Sequence, residues 1–336
     1  MISVLRRFIL TLIVFCLTGL GIILASNSKD FNPTTPVKLF TIDQPQELAW
    51  NALRSNARVR VFAYDQQQYQ ELKTLRPAIM TMAIPNLDGT EMEVELIENQ
   101  VLSPDFVLST PRARNIAYTP GLYYKGKIKG QDQSVVFISL FDDEVMGSIS
   151  APGKGNLVIG SSKALRRNTF LLFDDSQIEP LKFECNTEEL PTWKNELNEV
   201  QKGGFRSAAG CINVYFEAGS SVFASKGGAT GAANFISGLF NGVSSLYAAE
   251  GISTAISELK VWTTSDPEPY GTGVGYGSTL GSSFNGNLAH YVRIVPGSSA
   301  SGVGYLDVLC GSTPFAYSEV FSTNASYPAY SWNVNV

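Results

Sequence analysis

The chain has 336 residues, 44% of them hydrophobic and 16% charged, with 25 Lys and Arg against 30 Asp and Glu. That length suits about two domains with real cores, and the mild acidity argues against the basic face of a nucleic-acid binder. One His and four Cys exclude a multi-histidine metal site, which takes several imidazoles or a set of thiolates.

The N-terminus reads as an export signal. Arg6 and Arg7 precede an apolar run over 8–24, and Leu24-Ala25-Ser26 gives a small-residue exit. The expected signal peptide is 1–26. The run is short for a membrane span of about 20 residues, though an uncleaved anchor stays open. Phe15 before Cys16 argues against a lipoprotein. Export places the chain in a secreted or extracellular setting, periplasm and cell surface included, where disulfides persist. No stable membrane insertion is expected after signal removal. The remaining Cys185, Cys211 and Cys310 are odd in number, so at least one is free or pairs outside the chain.

Charge thins sharply after residue 205, where Gly and Ser become frequent. The shift marks two domains, 27–187 and 208–336, joined by a polar linker over 188–207 that contains Pro191 and Gly203-Gly204. The first reads mainly as strands. A helix is expected at 44–56, with Leu48, Ala49, Ala52 and Leu53 on one side. Residues 91–96 alternate at period two, their Glu forming a solvated face. Short β-rich runs follow at 122–125, 135–140, 146–150 and 157–159, separated by turn chemistry. Asp142 and Asp143 have the look of an acid–base pair, but their place in a hairpin turn favours a plain turn.

The second domain reads as a strand over 211–217, a long helix over 230–250, and strands at 252–262, 290–295, 303–309 and 315–321. Phe235, Leu239, Val243, Leu246 and Tyr247 recur at helical steps and give that helix one apolar face. Gly271, Gly273, Gly275 and Gly277 are not a G-x-G-x-x-G nucleotide loop and read as a flexible surface loop. No G-x-S-x-G elbow, Walker loop or Cys-x-x-Cys occurs.

The wording of the second half resembles a known family. Cys211-Ile-Asn-Val-Tyr-Phe-Glu-Ala218, Leu239-Phe-Asn-Gly-Val-Ser-Ser-Leu-Tyr247, Gly286-Asn-Leu-Ala-His-Tyr-Val292, Gly302-Val-Gly-Tyr-Leu-Asp-Val-Leu-Cys310 and Tyr330-Ser-Trp-Asn-Val-Asn-Val336 resemble the reprolysin-like (adamalysin-like) metzincin zinc metalloendopeptidases of secreted bacterial type. Tyr124-Lys-Gly-Lys-Ile-Lys-Gly130, Ser134-Val-Val-Phe-Ile-Ser-Leu140 and Met146-Gly-Ser-Ile149 resemble that family's propeptide. The resemblance implies an α+β fold: a β-rich propeptide domain, then the upper subdomain of a metzincin α/β domain with a mixed twisted sheet and one long helix.

In that family the Ser-Trp segment opens the active-site helix, which then carries His-Glu-x-x-His. The two His bind zinc and the Glu activates its water. Here the sequence ends at Val336, before such residues, and is expected to be truncated. The resemblance thus implies zinc and a peptide or protein substrate for the full-length family. For this chain it implies no catalytic residue, no metal ligand and no peptidase activity. His290 matches the Leu-Ala-His segment on a strand and is expected to be structural, bonded to a backbone group. Cys185 is a candidate latency thiol, of the kind that occupies the zinc in latent metzincins, although Asn186 stands where the usual motif has Gly. Cys211 and Cys310 are a candidate disulfide, Cys310 having a further alternative in a Cys beyond the chain. Gly302, Val303, Gly304, Tyr305, Leu306 and Asp307 match the edge strand on which the family lays its substrate. The alternative function is a secreted, non-catalytic binding or inhibitory module derived from such a peptidase.

Overall fold

The computed structural model describes residues 34–42, 59–153, 155–160, 168–177, 182–188, 211–266, 273–280, 283–296, 299–305, 309 and 314–321. The expected signal peptide, the helix expected at 44–56, the linker after Glu188 and the Tyr330–Val336 motif lie outside the described residues.

Alternating apolar and polar positions make most of the first half extended. It contains β1 (Phe40–Ile42), β2 (Val59–Tyr64), helix α1 (Gln66–Leu75), β3 (Ile79–Pro85), β4 (Glu91–Glu98), β5 (Leu102–Ser109), β6 (Leu122–Ile128), β7 (Gln131–Leu140), β8 (Val145–Ser150), β9 (Leu157–Gly160), β10 (Thr169–Asp174) and β11 (Lys182–Glu188). The second half contains β12 (Ile212–Ala218), α2 (Ser220–Ser225), α3 (Ala229–Ala249), β13 (Thr254–Val261), α4 (Gly273–Leu280), β14 (Leu288–Val295), β15 (Ser299–Tyr305) and β16 (Phe315–Phe321). Strands predominate in a mixed α+β fold.

One sheet has nine strands in the order β1-β2-β10-β9-β8-β7-β6-β4-β3. Val94 and Leu96 of β4 are buried on one face while Glu91 is exposed, as period two requires. The two ends of the sheet approach each other: Val37 N–H donates to Thr81 O at 2.8 Å, and Ala83 N–H donates to Val37 O at 3.0 Å. Aromatic rings pack at this closure, with Phe40 on Phe62 at 4.9 Å and Tyr64 on Phe170 at 5.6 Å. Helix α1 was not legible in its Gln-rich sequence. Asp65 caps it by accepting from Gln68 N–H, and only Tyr69 and Leu72 are buried. Lys73 of α1 meets Asp142 at 2.8 Å, so the β7–β8 turn holds this helix to the sheet.

The other sheet has seven strands in the order β11-β15-β16-β14-β12-β13-β5. The run β5, β13, β12, β14 and β16 is parallel, β15 is antiparallel to β16, and β11 is parallel to β15. Two of these strands, β5 and β11, come from the first half. Helix α3 connects β12 to β13, the crossover that parallel neighbours require.

Helix α3 packs against β13 on one side and against β6, β7 and β8 on the other. One apolar cluster therefore spans both sheets. It joins Tyr123, Phe141 and Met146 to Phe235, Ile236, Leu239 and Phe240 of α3, and these to Phe216, Leu259, Val292 and Ile294. The approach is close on the nine-stranded side. A Cβ at Gly238 would lie 2.7 Å from Met146 Sδ, and one at Gly242 would lie 2.7 Å from the Phe137 ring.

The same contact carries a buried polar seam. Asn241 Nδ2 donates to Ile138 O and Ser139 Oγ, each at 3.0 Å, and to Tyr124 O at 3.2 Å. Its Oδ1 accepts from Asn99 Nδ2 at 2.8 Å, and Asn99 also reaches Ser244 Oγ at 2.7 Å. Leu246 and Tyr247 depart from expectation. They are 58% and 46% exposed and lie past Ser245, the last buried residue of α3.

Residues 206–336 expressed alone are expected to aggregate. They would leave the Gly238–Gly242 face of α3 bare and remove β5 and β11 from the sheet. Size-exclusion chromatography checks this; a soluble, cooperatively folded monomer would contradict it.

Candidate functional site

Strands in register point paired residues to the same face. One face of the seven-stranded sheet, carrying Val214, Phe216, Leu259, Val292, Ile294 and Val320, packs on the α3 side. The opposite face carries Tyr215 and Glu217 of β12, Glu258 and Lys260 of β13, Tyr291 and Arg293 of β14, and Tyr317 and Glu319 of β16.

Each carboxylate on that second face has donors. Glu217 is 1% exposed. It accepts from Tyr215 OH and Trp262 Nε1, both at 2.8 Å, and from Lys260 Nζ at 3.3 Å. Lys260 also lies over the Trp262 ring, 4.2 Å from its centroid. Glu319 accepts from Arg293 Nε at 3.0 Å and from Tyr317 OH. Asp266 accepts from Ser220 Oγ at 2.6 Å and from Tyr291 OH. Burial alone would raise the Asp266 pKa, but these hydrogen bonds outweigh it and hold its carboxyl below the usual value. Glu258 accepts from Ser109 Oγ at 2.8 Å and Arg114 at 2.7 Å. Charge on this face is thus held in fixed pairs rather than offered as a free general base.

Helix α4 packs beside this face. Tyr276 is fully buried and meets Tyr291 at 5.5 Å and Phe315 at 6.1 Å. The alternating glycines were expected to form a flexible loop, yet Gly273–Leu280 is helical. The small residues explain the difference: a Cβ at Gly277 would strike the Phe315 ring, so glycine lets the helix lie close to β16.

The candidate substrate strand lies in β15, which contains Gly302, Val303, Gly304 and Tyr305; Leu306 and Asp307 lie outside the described residues. It does not form the edge that the sequence suggested. β11 pairs with it from Lys182↔Ser299 to Glu188↔Tyr305. A free strand edge presents unpaired N–H and C=O groups, and here another segment of the same chain takes them.

Cys185 lies in β11, opposite Gly302; its side chain is outside the description. Cys211 has a free, exposed thiol, raised in pKa by partial burial. Its candidate partner Cys310 lies outside the described residues.

His290 faces the α3 side. Its Nε2 pairs with Ser318 Oγ at 2.8 Å, and its ring stacks on Phe216 at 5.3 Å. Held this way, the one imidazole of the sequence does not fit a zinc site. Among the described residues, no group of three or more His, Cys, Asp or Glu is placed to hold a metal ion. Loss of water around the ring lowers the His290 pKa from 6.5 to about 4. The unfolded chain therefore takes up a proton before the folded one does. Stability is full above pH 6.5 and falls as pH drops from 6.5 towards 4, by about 3 kcal/mol in total. His290→Gln is expected to flatten this part of the acid limb. Tm measured across that window checks it; an unchanged slope would contradict it.

A cleft of ~320 Å³ opens between the β7–β8 turn and the start of α3, lined by Asp143, Glu144, Lys226, Thr230, Gly231 and Asn234. Burial raises the pKa of the Glu144 carboxyl, partly offset by Lys226. Asp142, which with Asp143 formed the candidate pair in this turn, is held below the usual carboxylate value by its hydrogen bond from Lys73. The turn thus fixes α1 and borders α3.

Among the described residues, no helix is long and apolar enough to cross a membrane. Comparison of the sequence with protein-family models and with curated proteins finds no match.

Proposed function

We propose that this chain is related to the precursors of secreted reprolysin-like zinc metalloendopeptidases, and that residues 1–336 taken alone hydrolyse no peptide bond. In this reading residues 27–187 are propeptide-like, and the second half carries the substrate-binding framework without the zinc ligands. The quoted motifs support the family. So does the sheet, with one long helix between its first two parallel strands and one antiparallel strand, β15, where the substrate strand is expected.

The observation that carries the reading is the pairing of β11 along β15. Peptides are commonly recognised by adding a strand to a sheet edge. Here the chain's own Lys182–Glu188 holds that place, so a peptide must displace β11 before it can pair. In a complete family member, zinc would supply the activated water for peptide-bond hydrolysis. The residues in this sequence contribute the binding strand, the covering strand and the scaffold beneath them.

A second reading, a secreted binding or inhibitory module, is favoured by the paired state of Glu217, Glu258 and Glu319, none of which is free for acid–base work. The genomic sequence after codon 336, read in every frame, separates the two. A His-Glu-x-x-His stretch is expected under the first reading, and its absence from all frames favours the second. The purified protein is expected to retain no stoichiometric zinc after dialysis at neutral pH. One bound zinc per chain by elemental analysis would contradict the proposal.

A further inference from the structure

We infer that the two halves form a permanent complex, so that residues 34–188 stay bound to residues 211–321 when the connection between them is cut. The inference does not depend on the peptidase reading; it rests on how the halves are interlocked.

The first half supplies a strand at each end of the seven-stranded sheet. β5 runs parallel to β13 at one edge, with Val107↔Glu258, Leu108↔Leu259 and Ser109↔Lys260 in register. β11 runs parallel to β15 at the other edge. Between those edges, α3 lies on β6, β7 and β8 of the first half. A segment resting on one face could leave by moving away from it. This one must break a backbone ladder at both edges of the sheet and also leave α3.

The side chains add to the lock. Ser109 Oγ and Arg114 both bond Glu258, at 2.8 and 2.7 Å, fixing the end of β5 to β13. Tyr123 OH donates to Ser237 Oγ at 2.8 Å, and Tyr118 OH donates to Asn234 Oδ1 at 2.9 Å. Ser139 Oγ donates to the Gly238 carbonyl at 2.9 Å. These groups are buried or part-buried, so separation would expose polar atoms matched to each other together with the apolar cluster around Phe141, Met146 and Leu239. None of these contacts passes through the connecting segment, and cutting it removes none of them. The surface that the first half presents thus fits one partner, the second half of the same chain. If the peptidase reading also holds, a cut in the connection alone would not uncover β15.

The test inserts a site-specific protease recognition sequence between Glu188 and Cys211 of the full chain, cuts the folded protein, and separates the products by native size-exclusion chromatography. Both fragments are expected in one peak, with no loss of either, and to part only in denaturant. Separate native peaks, or aggregation of the second fragment, would overturn the inference. Hydrogen exchange on the unaltered chain gives a second reading if the insertion prevents folding. The β5 amides that face β13 are expected to be as protected as those of β13. Fast exchange of those β5 amides beside a protected β13 would equally overturn it.

Discussion

Asn241→Leu is expected to destabilise the protein by about 4 kcal/mol. Asn241 is 0% exposed. Its Nδ2 donates to the carbonyls of Tyr124 and Ile138 and the hydroxyl of Ser139, and its Oδ1 accepts a hydrogen bond from Asn99 Nδ2. Leu has a similar size but no polar atom. It would leave these partners in a dry contact between α3 and the nine-stranded sheet, at about 1–3 kcal/mol for each orphaned group. Apolar burial by the new side chain offsets part of that. Urea unfolding followed by circular dichroism reads the change. A loss below about 1 kcal/mol would mean that water reaches the seam and that the halves are less closely joined than described.

Glu217→Leu is expected to cost about 3–5 kcal/mol, the range for removing one partner of a buried ion pair. Lys260, whose side chain is 26% exposed, would keep its charge without the carboxylate, and Tyr215 OH and Trp262 Nε1 would lose their acceptor. The double variant Glu217→Leu/Lys260→Met is expected to be more stable than Glu217→Leu alone, because no unpaired charge remains. Stability of the four proteins in a double-mutant cycle checks this. A loss in the double variant equal to the sum of the two single losses would show that the pair is not coupled.

The sequence made some elements plain and hid others for physical reasons. The steps Phe235, Leu239 and Val243 identify α3, since one apolar face is enough to call for a sheet beneath it. The opposite face, with Ser237, Asn241 and Ser244, has the composition of a solvent face, yet these residues are buried. They are polar because they bond across the seam, which cannot be read without knowing that a second sheet lies there. β5 was hidden by Pro104. Proline suits an edge strand or a bulge, and β5 is an edge strand whose register with β13 shifts between Ile256 and Glu258. The β11–β15 ladder joins segments more than a hundred residues apart, and no local pattern announces such a pairing.

The site was less legible than the fold. Glu217 follows Tyr215 and Phe216 on a strand of the core, and that position was the available signal: a carboxylate there needs a partner. The partner, Lys260, is supplied by β13, and only the parallel register brings Glu217 and Lys260 side by side. His290 looked structural from its strand position, but its bond to Ser318 depends on β16 lying beside β14.

The central claim is that two sheets share α3 and fold as one unit. Scanning calorimetry of the full chain tests it most directly. The account predicts a single transition whose calorimetric and van't Hoff enthalpies agree, as for any cooperative domain. Two resolved transitions, one for each sheet, would contradict it.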